Sequence, residues 1–261
     1  MRLLSLMLLT VPAWACLCSS WPTAREAWAD SPMVFVGRVE QTNPGPVLGR
    51  YGDAAEQFAR LRVLKAFKGV QAGQMVTLHQ PITSCTGAFQ DAGELLFYLH
   101  PSDDGKGWLA PGCHRTRSAD SAADDLLFLE TLPKSLERTR LSGQVDLYEE
   151  SPEEGFRRQK PLAGVRVRIS GKTGVTETRT DANGVYEVYG LPAGSYRVDI
   201  DVPSGTKIRF ASRIGRESKP SPWSGDQQSV ELSDRGSASV DFVLTVGDPA
   251  AINYKIPKRP R

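Results

Sequence analysis

The residues with the most chemical reach are four cysteines, Cys16, Cys18, Cys85 and Cys113, and three histidines, His79, His100 and His114. Cys16 and Cys18 stand one residue apart, directly after Ala13-Trp14-Ala15. An even cysteine count in an exported chain reads as a disulfide framework. A Cys16–Cys18 bridge would close a tiny strained ring, so the two long-range pairings are favoured. Each would close a loop of many tens of residues, worth about 4 kcal/mol in the chain-entropy model. The competing reading is a metal or redox site, but a lone Cys-x-Cys with two distant cysteines lacks the paired spacing of a zinc site. The histidines fall into no metal-ligand pattern, and each reads as structural. No Gly-x-Ser-x-Gly, His-Glu-x-x-His or P-loop occurs. The chain therefore reads as a non-enzyme without a cofactor.

The cysteines matter because of what precedes them. Arg2, the apolar run from Leu3 to Val11 and the small residues Ala13 and Ala15 have the layout of a secretory signal, 1–15, cut after Ala15. The run is too short to span a bilayer. Cys16 would then begin the mature protein. A lipid anchor on Cys16 is less favoured, because bulky Trp14 sits between Ala13 and Ala15 where lipoprotein signals are compact. The expected location is secreted, periplasmic or cell-surface. With 261 residues, 40% hydrophobic and 24% charged, the chain is globular in composition and has room for one large domain or two of ordinary size. A net charge of +2 gives no electrostatic footprint for nucleic acid.

The first domain is expected over 16–136. Thr23 can cap a short helix that places Ala24, Ala27 and Trp28 on one face, with Pro32 ending it. Strands are expected at 33–39, 58–67, 75–79 and 95–99, with a short one starting at Trp108, and a turn at Lys68-Gly69. Ser118 or Asp120 can cap a helix running through Leu126, Leu127, Leu129 and Leu132 to Pro133. Five short strands with flanking helices suggest a small closed barrel.

Cys-x-Cys at a mature N-terminus, Ala29-Asp30-x-x-Val34-Phe35-Val36-Gly37-x-Val39, Phe67-Lys68-Gly69, Cys85 with Gly93 and Tyr98, and then Cys113 form an ordered set. Together they resemble the netrin module and tissue inhibitor of metalloproteinases (TIMP) superfamily. The resemblance implies an OB-fold barrel and the pairings Cys16–Cys85 and Cys18–Cys113. In TIMP-type inhibitors the N-terminal strip is a wedge. By that likeness the Cys16 amine and carbonyl would chelate the zinc of a metalloprotease, and Leu17 would fill its specificity pocket. TIMPs also carry a third bridge in this domain and a cysteine-rich second domain, which this chain lacks. Most netrin-type modules serve as interaction domains.

The second domain is expected over 139–246 as a seven-stranded β-sandwich, followed by a basic tail at 247–261 expected to be disordered. Alternation marks strands near 141–148, 165–169, 176–180, 185–189, 195–202, 230–232 and 240–244. Glu149 to Lys160 reads as a charged loop, and 208–223, with Arg209, Arg213, Arg216, Lys219, Phe210 and Trp223, as a long basic loop. Thr180-Asp181-Ala182-Asn183-Gly184-x-Tyr186 and Gly190-Leu191-Pro192-Ala193-Gly194-x-Tyr196 resemble carboxypeptidase-regulatory-like and Cna-B-like sandwich domains. These are appendages, spacers and adhesion modules. Some carry a Lys–Asn isopeptide bond between first and last strands; here the first strand has no Lys and the last no Asn. Asp181 and Asn183 read as a hairpin turn rather than calcium ligands. The whole is an all-β, non-enzymatic binding protein. Two roles stand: a TIMP-like metalloprotease inhibitor, or a structural or adhesive module whose partner is another extracytoplasmic protein.

Overall fold

A computed structural model describes residues 21–42, 55–82, 93–102, 105–150, 157–215 and 228–246. The fold is all-β, a closed five-stranded barrel followed by a two-sheet sandwich.

The barrel contains β1 (Met33–Thr42), β2 (Ala55–Lys68), β3 (Met75–Ile82), β4 (Glu94–Pro101) and β5 (Trp108–Leu109), with β6 (Arg117–Ser118) added beside β4. The order is β1-β2-β3-β5-β4, and β1 pairs with β4 to close the ring. Among the described barrel pairings only β3 with β5, through Leu78 and Trp108, is parallel. This is OB-fold connectivity.

The apolar runs in β1 and β4 are continuous because both faces of these strands are covered. Met33, Phe35, Leu95, Phe97 and Leu99 point into the barrel, where the Phe35 and Phe97 rings stack 5.1 Å apart. Val34, Val36, Leu96 and Tyr98 point outward beneath two helices, α1 (Ala24–Asp30) and α2 (Ala123–Glu130). Thr23 caps α1 in a reciprocal capping box with Glu26. The start of α2 differs from expectation. Ser118 precedes a 3₁₀ turn (Ala119–Ser121), and the α2 cap is Ala122, with no side-chain bond. A further short helix, α3 (Lys134–Glu137), leads into the sandwich.

The sandwich has nine strands among the described residues, where seven were expected: β7 (Arg140–Glu150), β8 (Arg157–Pro161), β9 (Arg166–Gly171), β10 (Gly174–Arg179), β11 (Val185–Tyr189), β12 (Gly194–Ile200), β13 (Thr206–Ile214), β14 (Gln228–Leu232) and β15 (Ser237–Val246). One sheet runs β10-β9-β12-β14 and the other β11-β7-β15-β13, with β8 also on β7. Val167, Ile169 and Val198 of the first sheet pack on Leu141, Val145, Phe242 and Leu244 of the second.

The two added strands correct two loop readings. β8 pairs with β7 from Asp146↔Pro161 to Glu150↔Arg157. β13 pairs with β15 from Thr206↔Val246 to Ile214↔Ser239, so Arg209, Phe210 and Arg213 lie on a strand. Arg216, Lys219 and Trp223 fall outside the described residues. Ladder hydrogen bonds hold both segments, although β8 is wholly polar before Pro161 and the basic residues of β13 outweigh its alternating Ile208, Phe210 and Ile214.

The Asp181 turn is also corrected in one respect. It joins β10 to β11, which lie in different sheets, so it is a corner rather than a hairpin. The Asp181 carboxylate accepts from the N–H of Asn183 at 2.8 Å and of Val185 at 2.9 Å, and Gly184 takes φ 71°. That is an Asx turn committed to backbone.

At Gly143 on β7 an added Cβ would meet the Val240 carbonyl oxygen at 1.8 Å and the Tyr186 hydroxyl at 2.7 Å. Tyr186, fully buried, donates that hydroxyl to the Val240 carbonyl at 2.8 Å, just where the methyl would intrude. Gly143→Ala is expected to destabilise the protein by about 2–3 kcal/mol through overpacking and loss of this bond. Urea unfolding checks it, and a change under ~0.5 kcal/mol would contradict the packing described.

Candidate functional site

The most densely organised polar site lies where the barrel meets the sandwich. Its acids sit on the first turn of α2, where a helix N-terminus favours negative charge. Asp124 and Asp125 are buried. Arg115, also buried, clamps Asp125 through Nε at 2.5 Å and Nη2 at 2.7 Å, reaches Asp124 at 3.2 Å, and donates to the Pro22 carbonyl at 3.1 Å. Arg117 makes a further ion pair with Asp125, and the Tyr98 hydroxyl donates to Asp125 at 2.9 Å.

The sandwich contributes Arg140, 1% exposed, at the start of β7. It donates to the Asp124 carboxylate at 2.6 Å, the Glu187 carboxylate at 3.1 Å and the Ser142 hydroxyl at 2.9 Å. Its guanidinium carbon lies 5.4 Å from the Phe128 ring centre. Asp124 is thus shared between Arg115 of the barrel and Arg140 of the sandwich.

Burial pushes the Asp124 and Asp125 carboxyls up. The facing arginines outweigh it and hold both below the ordinary carboxylate range: Arg140 and Arg115 for Asp124, Arg115 and Arg117 for Asp125. Burial alone would lower the two guanidinium pKa values, but the facing carboxylates raise them. Tyr98 is raised well above its ordinary value, first by burial and then by Asp125.

Further contacts lock the joint. Arg25 on α1 donates to the carbonyls of Ser135, Arg138 and Arg235. The Thr23 and Ser237 hydroxyls are 2.5 Å apart, and the Gly215 N–H donates to the Trp21 carbonyl at 2.9 Å. The outer face of the second sheet is covered too. Ser142, Asp146, Tyr148, Ser239, Val243 and Thr245 alternate with core residues and are themselves buried. On this face Asp241 accepts from the Gln144 N–H at 3.0 Å and from the Ser239 hydroxyl at 3.3 Å. Burial, then the charge on Asp124, pushes the Asp241 carboxyl up to about 6.

The residues singled out by spacing fare differently. Cys113 is disulfide-bonded. Cys16, Leu17, Cys18 and Cys85 lie outside the described residues, as do the signal segment and the basic tail. His79 stacks on Phe58 with ring centres 4.1 Å apart. His100 and His114 are drawn together at 5.3 Å, and burial, followed by His100 and Arg115, pushes His114 down to about 4. Among the described residues no group of three or more His, Cys, Asp or Glu is placed to hold a metal ion. No described helix is long and apolar enough to cross a membrane.

No family model matches the chain. Over 102 residues it is 30% identical to serine-aspartate repeat-containing protein F of Staphylococcus epidermidis. That match covers 36% of this chain and 6% of the relative. Among solved structures it is similar to the minor pilin of Streptococcus agalactiae, at 14% identity and TM-score 0.30, covering 88% of this chain and 87% of that one. A bacterial adhesin from Mobiluncus mulieris scores 0.31 at 11% identity, covering 75% and 60%.

Sequence reasoning missed the junction. It gave Asp124, Asp125 and Arg115 no role. The only local signal was a pair of acids in a first helical turn, followed sixteen residues later by an arginine opening a strand.

Proposed function

We propose that this is an exported, non-enzymatic protein in which barrel and sandwich act as one stiff structural or adhesive module presented to an extracytoplasmic partner. The observation that carries the reading is the buried Arg115–Asp124–Arg140 bridge. Inter-domain joints that flex are ordinarily small and solvated. This one is ionic, shared by both domains and closed to water, which suits a spacer or a fixed binding surface. The 102-residue likeness to the staphylococcal serine-aspartate repeat-containing protein supports the sandwich half of the reading. The domain limits 16–136 and 139–246 belong to the same proposal, as do signal cleavage after Ala15 and the two bridges Cys16–Cys85 and Cys18–Cys113.

The metalloprotease-inhibitor role of Cys16 and Leu17 is the competing reading, and one assay separates the two. Mature protein beginning at Cys16, its start verified by intact mass, is tested against a panel of zinc metalloproteases beside a form with one extra N-terminal alanine. The expected result is no inhibition by either form. Inhibition by the Cys16 form that disappears with the extra alanine would overturn the proposal in favour of zinc chelation.

A further inference from the structure

We propose that His100 and His114 form a two-imidazole site for a d¹⁰ transition-metal ion, copper(I) or zinc(II), on the outer flank of the barrel. His100 stands near the end of β4, and His114 follows the disulfide-bonded Cys113 in the connection from β5 to β6. The ring centres are 5.3 Å apart with planes at 83°. Two imidazoles on one tetrahedral ion, each nitrogen about 2.0–2.1 Å from the metal, hold their ring centres about 5 Å apart. The pair stands at that spacing.

The second observation is His114 itself. It is 8% exposed, and neither of its ring nitrogens has a hydrogen-bond partner. A buried polar nitrogen is ordinarily satisfied, and leaving one unpaired costs about 1–3 kcal/mol. A metal ion would take up one lone pair. His100 has the complementary arrangement: its Nε2 lies 3.3 Å from the Ser31 hydroxyl oxygen, which leaves Nδ1 for the ion. Ligating histidines are commonly oriented by a hydrogen bond at the other ring nitrogen. The Tyr98 ring packs edge-on against His114 at 5.6 Å.

Imidazole nitrogen selects copper and zinc over magnesium or calcium, which require oxygen ligands. Lys68 and Arg115 add positive charge nearby, which Asp125 offsets in part. That field penalises a divalent ion more than a monovalent one, so copper(I) is favoured over zinc(II). The described residues supply two ligands, and a solvent molecule that enters with the ion or a donor group from a partner would complete the set.

The test uses the full mature chain, stripped by a chelator. It is titrated anaerobically with copper(I) against a chromogenic competitor, and separately with zinc(II). Expected are one bound ion per chain, tighter copper(I) than zinc(II), and selective shifts of the His100 and His114 ring resonances. His114→Phe, which keeps the edge-on packing, and His100→Gln should each weaken binding beyond the ~10–100-fold typical of losing an outer hydrogen-bond partner. Ser31→Ala should weaken it about tenfold, and His79→Gln should leave it unchanged. Thermal unfolding of each variant establishes that it is folded, and the ring resonances of the unmutated protein serve as a readout that needs no variant. Failure to bind either ion, binding undiminished in both folded ligand variants, or ring shifts at His79 instead would overturn the proposal.

Discussion

Arg140→Ala is expected to lower the unfolding free energy by about 3–5 kcal/mol, the range for removing one partner of a buried ion pair. Arg140 is 1% exposed and meets Asp124, Glu187 and Ser142 together. Without it Asp124 retains, among the described residues, a 3.2 Å contact to Arg115, already engaged bidentately with Asp125, and no side-chain contact from the sandwich. The loss should also uncouple the domains. Hydrogen exchange is expected to show one cooperative opening in the parent protein and separate barrel and sandwich openings in the variant. Arg140→Met with Asp124→Leu should recover much of the loss, because an apolar pair of similar volume removes the uncompensated charge. A change below ~1 kcal/mol for Arg140→Ala, or an unchanged exchange pattern, would contradict a load shared through Asp124.

The second large effect concerns Asp241. Its folded-state pKa, about 6, stands above the unfolded value near 3.9. The folded state therefore binds the proton more tightly, and this group adds stability as pH falls through 6 toward 4. His114 acts in the opposite sense. Its folded value, about 4, lies below the unfolded 6.5, so the stability it contributes is present at neutral pH and lost as pH falls from about 6.5 to 4. In chelator-treated protein these slopes oppose each other between about pH 4 and 6.

Asp241→Asn keeps an acceptor for the Gln144 N–H and removes one slope. The variant should gain about 1–3 kcal/mol over the parent at pH 7, and that advantage should shrink toward zero near pH 4. Denaturant unfolding across this range reads it directly. An Asn variant that tracks the parent at a constant offset would show that Asp241 does not titrate there. Below pH 4 both proteins should lose stability together, because Asp124 and Asp125 are held below the carboxylate range and must then take up protons.

Much of the local structure was readable from the chain. Thr23 announced the cap of α1, and it forms, with Glu26 completing a capping box. The apolar runs at 33–39 and 95–99 announced strands, and Asn183-Gly184 a turn, because each depends on neighbours within a few residues. Composition and alternation were enough for an all-β class with a barrel before a sandwich.

Other features needed the tertiary structure. β8 carries no apolar alternation and β13, though Ile208, Phe210 and Ile214 alternate with basic residues, reads as a basic loop; backbone pairing with β7 and β15 makes both strands. The Asp181 turn changes sheets because β11 finds its partner in β7 rather than in β10. Asp124 and Asp125 are charged residues on a short helix, which sequence alone assigns to solvent. They are buried because Arg115, ten residues before Asp125, and Arg140, sixteen after Asp124, converge on them and compensate the lost hydration. His100 and His114 meet for the same kind of reason: the strand and loop that carry them are placed by barrel closure. Pattern along the chain determined which segments extend, coil or turn. Only the packed fold decided which distant charges and rings share a space, because pairing across a sheet or a domain joint depends on separation in space, not along the sequence.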